Sequence, residues 1–582
     1  MSRFVLPDAV PQVPSERPAS ARPKGVIRHP PSWMPRAGLA TLTAIPAVFI
    51  ALFFVWPVVT LVAKGFVADG QLDLGGFGEV MGKARTWRLI GRTIAQAAAA
   101  TFVCAALALP LAALAWRRSF PGRTALRALL TAPFALPSVV VGLAFKALLG
   151  RGGPVAFLGL DQSFAAVVAA LVFFNVGLMA RVVGTFWAGL DPRSEQAARV
   201  LGASPWRAYL TITLPALMPA VVAGGSLVFL FSATAFAPVL ILGGSAYTTV
   251  ETEIYLQTAQ LLNLRAAAVL SIVQMIVVAV ALWFGAWARQ RRERALKQAG
   301  RASREQAGIL MPPATWRSDW PGITAAILAG GLILAPLGNL VYLSFRTSGG
   351  LGISNYLGLA ARPAGQPYSL LDAAGRSVLI GLVAGALALA LGLALAVVLS
   401  RPAVGRTARR LRGLLDGVAM APLGISAVTV GFGFLITLNR EPLNLRTSFW
   451  LIPLAQALVA LPLVTRSVLP PLRAISPRLR QAAGVLGAGP WRAFTTVDLP
   501  VLRRGAMVAG AYAFAVSIGE FGATAFLVRP DTTTLPVAIY KLLARPGSGN
   551  LGLAMAGAVL LATLTMLVMA LAERSDRNYA TV

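Results

Sequence analysis

Twelve stretches of about twenty residues, nearly free of Asp, Glu, Lys and Arg, recur along the 582-residue chain, and a helix of that length is what crosses a hydrocarbon layer. They lie at 38–62, 93–115, 128–149, 165–186, 212–242 and 266–287, then at 322–345, 378–399, 418–438, 450–468, 505–528 and 551–571. With 57% hydrophobic and only 13% charged residues, the composition argues against a soluble enzyme. The expected fold is all-α: a polytopic membrane protein of about twelve transmembrane helices in two six-helix halves.

Residues 1–37, rich in Pro, Ser and Arg, read as a disordered basic tail. The stretch 289–321 contains RQRRERALKQAGRASRE, too charged for lipid, and reads as a basic linker between repeats at 38–288 and 322–573; a short tail follows at 574–582. The net charge of +31 reflects orientation rather than nucleic acid, because 34 of the 52 Lys and Arg lie in segments on one side of the membrane and 15 on the other. The remaining three, Lys146, Arg181 and Arg466, fall within or at the edge of spans. Both termini and the linker are therefore expected in the cytoplasm. Cys104 is the only cysteine and His29 the only histidine, so no disulfide framework or cysteine metal site is expected, and no cofactor in this chain. GEVMGKA at 78–84 fails as a phosphate loop, since Phe77 holds the place of its first glycine and Ala84 that of Ser or Thr.

The chain also repeats itself. EQAARVLGASPWRAYLTITLP at 195–215 returns as RQAAGVLGAGPWRAFTTVDLP at 480–500, at a constant offset of 285. Each copy follows the fourth span of its half, so an even number of spans separates them and the repeats are parallel. Each predicts a compact two-helix elbow in a loop, 191–215 and 476–500. Asp191 before Pro192 and Ser476 before Pro477 cap the first helix, and Gly202 and Gly487 end it in a left-handed turn. Ser204 with Pro205, and Gly489 with Pro490, start the second. Trp206, Arg207, Trp491 and Arg492 are residue types enriched at protein interfaces, which favours docking over the alternative of amphipathic helices resting on lipid.

The spacing E-A-A, three residues, Gly, nine residues, Ile-x-Leu-Pro resembles the signature loop of binding-protein-dependent ATP-binding-cassette importer permeases. Gln196-Ala197-Ala198, Gly202, Ile212, Leu214 and Pro215 fill it once; Gln481-Ala482-Ala483, Gly487, Val497, Leu499 and Pro500 fill it again. Both copies depart at the leading acid, Gln196 and Gln481; Glu195 stands one place earlier, but its counterpart is Arg480. The resemblance implies that Glu195 to Ala198, Gly202 and Pro205 to Arg207, with Arg480 to Ala483, Gly487 and Pro490 to Arg492, are coupling helices gripping two copies of a cytoplasmic ATPase. That partner would hold ATP and Mg, and an extracytoplasmic solute-binding protein would deliver a small molecule. The location implied is a bacterial inner (plasma) membrane. Two halves in one chain resemble the fused permeases for thiamine and ferric iron. LILGGSAYTTVETEIY at 240–255 and LRAAAVLSIVQM at 264–275 are most similar to the thiamine type, while SIGEFGATAFLVRPDTTTLPVAIY at 517–540 resembles a segment shared with iron, molybdate and sulfate permeases. Thiamine or a thiamine phosphate is the expected solute, with ferric iron the alternative.

Glu520 lies inside the eleventh run, where a charge costs about 2.5–3.5 kcal/mol, and it needs water, a partner or a proton. Its counterpart is Ala235. With Ser517 and Phe521, and with Ser232, Thr234 and Phe236 opposite, it is a candidate lining of the translocation path, the competing role being a structural acid. Pro133, Pro137 and Pro422 are expected to kink helices around a cavity. An ion-coupled secondary transporter is the rival reading, but it leaves the twin elbows unexplained.

Overall fold

The apolar runs do become helices in the computed structural model, which describes residues 36–68, 71–299, 313–347, 349–363, 365–401, 405–439, 441, 443–545 and 547–580. Apart from two hairpins of two-residue strands, Val67–Ala68 with Gln71–Leu72 and Arg346–Thr347 with Gly350–Leu351, these residues are helical or irregular. Nine of the described helices are long and apolar enough to cross a membrane, or up to twelve spans if three bent pairs each count as one. The second half repeats the order of elements in the first.

Several boundaries move, each for a physical reason. The expected span at 128–149 is two limbs, Arg123–Ala135 and Ser138–Leu149, bent by 105°; the span at 418–438 is likewise Arg409–Gly424 and Ala427–Thr437, bent by 102°. Pro133, Pro137 and Pro422 sit at these corners, where proline removes an amide donor and disfavours helical backbone in the residue before it. The first limb is polar enough to lie flat, and the Arg123 and Arg127 guanidinium groups both donate to the Ala115 carbonyl, at 2.8 and 2.9 Å. The runs 212–242 and 505–528 also break, at Ala233 and Ile518, before the short helices Ala237–Gly243 and Thr524–Leu527. Charge excludes the linker from lipid but not from helix: Leu264–Ala299 continues past 289 on good helix formers, and Trp316–Phe345 begins before 322. Only 300–312 of the linker lies outside the described residues, as does nearly all of the expected tail at 1–37. At the other end Ser548–Ala580 carries helix through most of 574–582.

Three large apolar cores, with a small fourth at Leu230, Val278 and Ala281, hold the described residues together. One gathers Leu111, Phe145, Phe173 and Phe186 of the first half around Ala325, Ala329 and Ile333 of Trp316–Phe345, the opening helix of the second half. Another gathers Leu391, Leu395, Phe434 and Leu458 of the second half around Phe49, Ile50 and Phe54, from the opening helix Thr41–Phe66 of the chain. Each half thus lodges its first helix in the other. The crossing is pinned outside the core by Arg118, paired with Asp319 at 2.9 Å, and by the Ala314 amide donating to the Ser119 carbonyl at 3.0 Å. The third core spans the seam, with Val140, Phe236 and Ile254 against Phe432, Phe521 and Ile539.

Close helix approach depends on glycine in places. A Cβ at Gly177, in Phe164–Ala188, would stand 1.6 Å from the Leu130 carbonyl oxygen, a backbone atom that cannot rotate away. Gly177→Ala is expected to cost at least the upper end of the about 1–3 kcal/mol typical of overpacking. Loss of the monodisperse peak of the detergent-solubilised protein would register it; an unchanged peak and melting temperature would contradict it.

Candidate functional site

Both elbows form, with the same local logic. The helix Arg193–Val200 stops where Gly202 takes φ +89°, and the Ala203 amide closes the end by donating to the Ala198 carbonyl at 3.0 Å. Pro477–Val485 stops at Gly487, φ +78°, with Ala488 donating to Ala483 at 2.9 Å. Pro205 and Pro490 open the second helices, and the Ser204 hydroxyl accepts from the Arg207 amide at 3.2 Å. The first cap is shifted by one: Pro192 is the cap residue, and Asp191 accepts from the Arg193 amide at 2.9 Å. Next come π turns at Tyr209–Thr213 and Phe494–Asp498, widened because Pro215 and Pro500 have no amide for the carbonyl four residues back.

Burial separates what the elbow uses internally from what it presents. Ala208 and Ala493 are buried, and Ala198 and Ala483 half-buried, whereas Gln196, Ala197, Arg207, Gln481, Ala482 and Arg492 are exposed. At the tips Val200 and Leu201 are each 87% exposed and Val485 and Leu486 87% and 86%. Trp206 stacks on Tyr209 at 5.6 Å and Trp491 on Phe494 at 5.7 Å, which fixes both indoles while leaving them exposed.

Glu195 and Arg480 face inward instead. A Glu195 carboxylate oxygen accepts from the Thr213 hydroxyl at 2.8 Å. Arg480 donates to Asp498 at 2.6 and 3.0 Å, and Arg401 reaches the same carboxylate at 3.5 Å. Residues 195 and 480 are equivalent under the offset, as are 213 and 498, so one brace is built from a hydroxyl in the first half and an ion triad in the second. Burial and the neighbouring Arg480 pull the Arg401 guanidinium down to about 10, which leaves it charged at neutral pH.

At the seam, the Phe236 and Phe521 rings stack at 5.5 Å and 19°, both buried. Each carries a tyrosine at its edge, Tyr255 on Phe236 and Tyr540 on Phe521, both at 5.4 Å and 61°. The four obey the 285 offset, so the two halves contribute equivalent faces to one aromatic plug. Glu520 is 8% exposed. Its oxygens accept from the Ala523 amide at 2.7 Å and the Thr524 amide at 3.0 Å, with the Thr524 hydroxyl also donating, all within the broken turn on which it sits. Gly522 permits this: a Cβ there would fall 2.9 Å from that of Ala427. Thr234 turns back on the Leu230 carbonyl at 2.9 Å, while the buried Ser232 and Ser517 hydroxyls have no hydrogen-bond partner among the described residues.

The sequence reading missed Tyr255, Tyr540 and the fully buried Glu251, because 243–265 and 529–550 read as outer loops. The helices Val250–Ala259 and Leu535–Leu543 fold back instead into the core at the seam. A signal existed: the segments 240–255 and 517–540, both singled out by their resemblance to importer permeases, end on Tyr255 and Tyr540, 285 apart.

Comparison with known proteins agrees with this architecture. The family model for binding-protein-dependent transport system inner membrane components matches residues 106–294. The thiamine transport system permease protein of Escherichia coli (strain K12) is 26% identical over 465 residues, covering 78% of this chain and 83% of that protein. Its counterpart in Brucella abortus (strain 2308) is 28% identical over 500 residues, covering 84% and 88%. The molybdenum transport system permease protein of E. coli (strain K12) is 35% identical over 185 residues, 29% of this chain but 80% of that protein. The chain therefore belongs to the binding-protein-dependent transport system inner membrane components, as the multi-pass permease of an ATP-binding-cassette importer and not its ATPase.

Proposed function

We propose that this permease imports thiamine, or a thiamine phosphate, by alternating access driven by two copies of a cytoplasmic ATPase. One observation carries the reading of the drive: two elbows 285 residues apart expose the same apolar tips, Val200–Leu201 and Val485–Leu486, beside fixed Trp206 and Trp491. Each ATPase grips Gln196, Ala197, Ala198, Gly202, Pro205, Trp206 and Arg207, or their equivalents Gln481, Ala482, Ala483, Gly487, Pro490, Trp491 and Arg492. Both elbows and both termini then lie in the cytoplasm, with repeats 38–288 and 322–573 flanking the path. The helix leaving the first elbow, Leu214–Ala233, ends three residues before Phe236, and Leu499–Ile518 ends three before Phe521. ATPases closing on ATP and Mg draw the elbows together and lever the two rings apart, toward a loaded external binding protein. The thiamine assignment is supported by the named relatives that match most of the chain.

Proteoliposomes holding the permease, its ATPase and the binding protein should take up labelled thiamine only with ATP at the ATPase side. Uptake of ferric iron in its place, or thiamine uptake on an ion gradient without ATP, would overturn the reading. The elbows have their own test. Gly202 and Gly487 have open space around a Cβ, so valine there acts through the left-handed backbone, at about 1–2 kcal/mol each. ATPase binding by the double variant should weaken about tenfold or more, read by co-purification, while the strain is relieved by local fraying of the exposed elbows and the membrane helices of the detergent-solubilised permease keep nearly their melting temperature. Undiminished co-purification and uptake would count against docking at the elbows.

A further inference from the structure

Glu251 stands in the first turn of Val250–Ala259 with no exposed surface, flanked by buried Thr249 and Thr252. One carboxylate oxygen accepts from the Ser426 hydroxyl at 2.9 Å, and Ser426 belongs to the other half, capping Ala427–Thr437. The other oxygen has no donor in hydrogen-bond geometry among the described residues, its polar neighbour being the Gln274 side chain. Two further buried oxygens of the same half share that condition. One is Gln274 Oε1, whose side chain lies against Glu251 and whose amide nitrogen donates to the Ala233 carbonyl at 3.0 Å. The other is the hydroxyl of Ser232, next to Ala233. Interiors pair nearly all of their polar atoms, so the unpartnered Glu251 and Gln274 oxygens fit a ligand that brings N–H groups and positive charge, and the Ser232 hydroxyl can accept as well as donate.

The neighbourhood matches such a ligand. Tyr255, one turn on from Glu251, meets both Phe236 and Phe526 at 5.4 Å, and aromatic faces attract cations. Other acids nearby are occupied: Glu520 by its own turn, and Glu253 by Arg85 at 2.9 Å and Gln257 at 2.8 Å. Glu251 is held instead by a neutral hydroxyl across the seam that must open.

Resting on the importer reading above, we propose that Glu251 is the cation-recognition group of the translocation path. Ser426 covers it while the halves are closed. As they part, the carboxylate, with Gln274 and Ser232, takes an organic cation bearing N–H donors against the Tyr255 and Phe236 rings.

The test uses the full permease–ATPase complex with Cys104→Ala and Ser426→Cys, trapped with vanadate or left without nucleotide. In the trapped state the preference of the new cysteine for a trimethylammonium-ethyl over a sulfonatoethyl methanethiosulfonate should exceed that of a free thiol in solution about tenfold, as a carboxylate a few ångströms away dictates. Adding Glu251→Gln should bring the preference back close to the free-thiol value. Thr429→Cys, whose position lies 3.0 Å from the Ser426 hydroxyl, repeats the measurement should the first variant misfold. Separately, Glu251→Gln, which still accepts from Ser426, should lower labelled-thiamine uptake at least about tenfold, with Glu251→Asp restoring part of it. A cysteine unreactive in every state, a reagent preference indifferent to Glu251, or wild-type uptake by the Gln variant would overturn the proposal. The reagent arm needs no solute, so a wild-type complex that ignores thiamine would sink the substrate assignment alone.

Discussion

Asp498→Ala should cost the fold about 3–5 kcal/mol, because it leaves Arg480 and Arg401 buried without the anion they share. The carboxylate is 1% exposed and the two arginine side chains 14% and 12%, so water reaches them only in part. The loss should show as a large fall in the melting temperature of the detergent-solubilised permease, and the second elbow should lose its hold on the ATPase. Replacing all three charges with apolar residues of similar volume should recover most of that stability, since the penalty comes from orphaned charge. The equivalent change in the first half, Thr213→Val, removes one hydrogen bond to a half-buried carboxylate and should cost only about 0.5–1.5 kcal/mol. Equal losses in the two halves would refute the difference between the braces.

Phe521→Ala should cost a further about 3–5 kcal/mol of stability, as truncation of a fully buried phenylalanine does. It should also open a route, because the ring is half of the only stacked pair described across the seam. Liposomes with the Phe236→Ala, Phe521→Ala permease should release a small trapped cation without ATP, where wild-type liposomes hold it. Phe521→Leu keeps most of the bulk and forfeits mainly the stacking, about 0.5–1.5 kcal/mol, so those liposomes should stay nearly tight. Tight liposomes with the double alanine variant would show that the closure lies elsewhere.

Helix number and the twin elbows were legible because lipid demands long uncharged runs and because the elbow sequence occurs twice in one register. The corners at Pro137 and Pro422 were legible only as kinks: proline shows where a helix yields, but the angle is set by tertiary packing that no local spacing encodes. Glu195 and Arg480 looked like outward charges since their partners, Thr213 and Asp498, lie a full elbow away in sequence. Glu251 was hidden for a different reason. Hydropathy assigns a short helix with two glutamates to a loop, and only packing against Ser426 of the other half shows it to be interior.

The exchanged opening helices make each bundle unfinished by itself. Made without its twin, the second bundle would offer lipid a trench along Leu391, Leu395 and Phe434, where Phe49, Ile50 and Phe54 belong. Once joined, the pair is clasped at two crossed arms, so a chain severed at 300–312 would stay together with no covalent tie. In the alternating access proposed above, the same clasp would supply the pivots: as the bundles rocked, each would carry an arm of its neighbour.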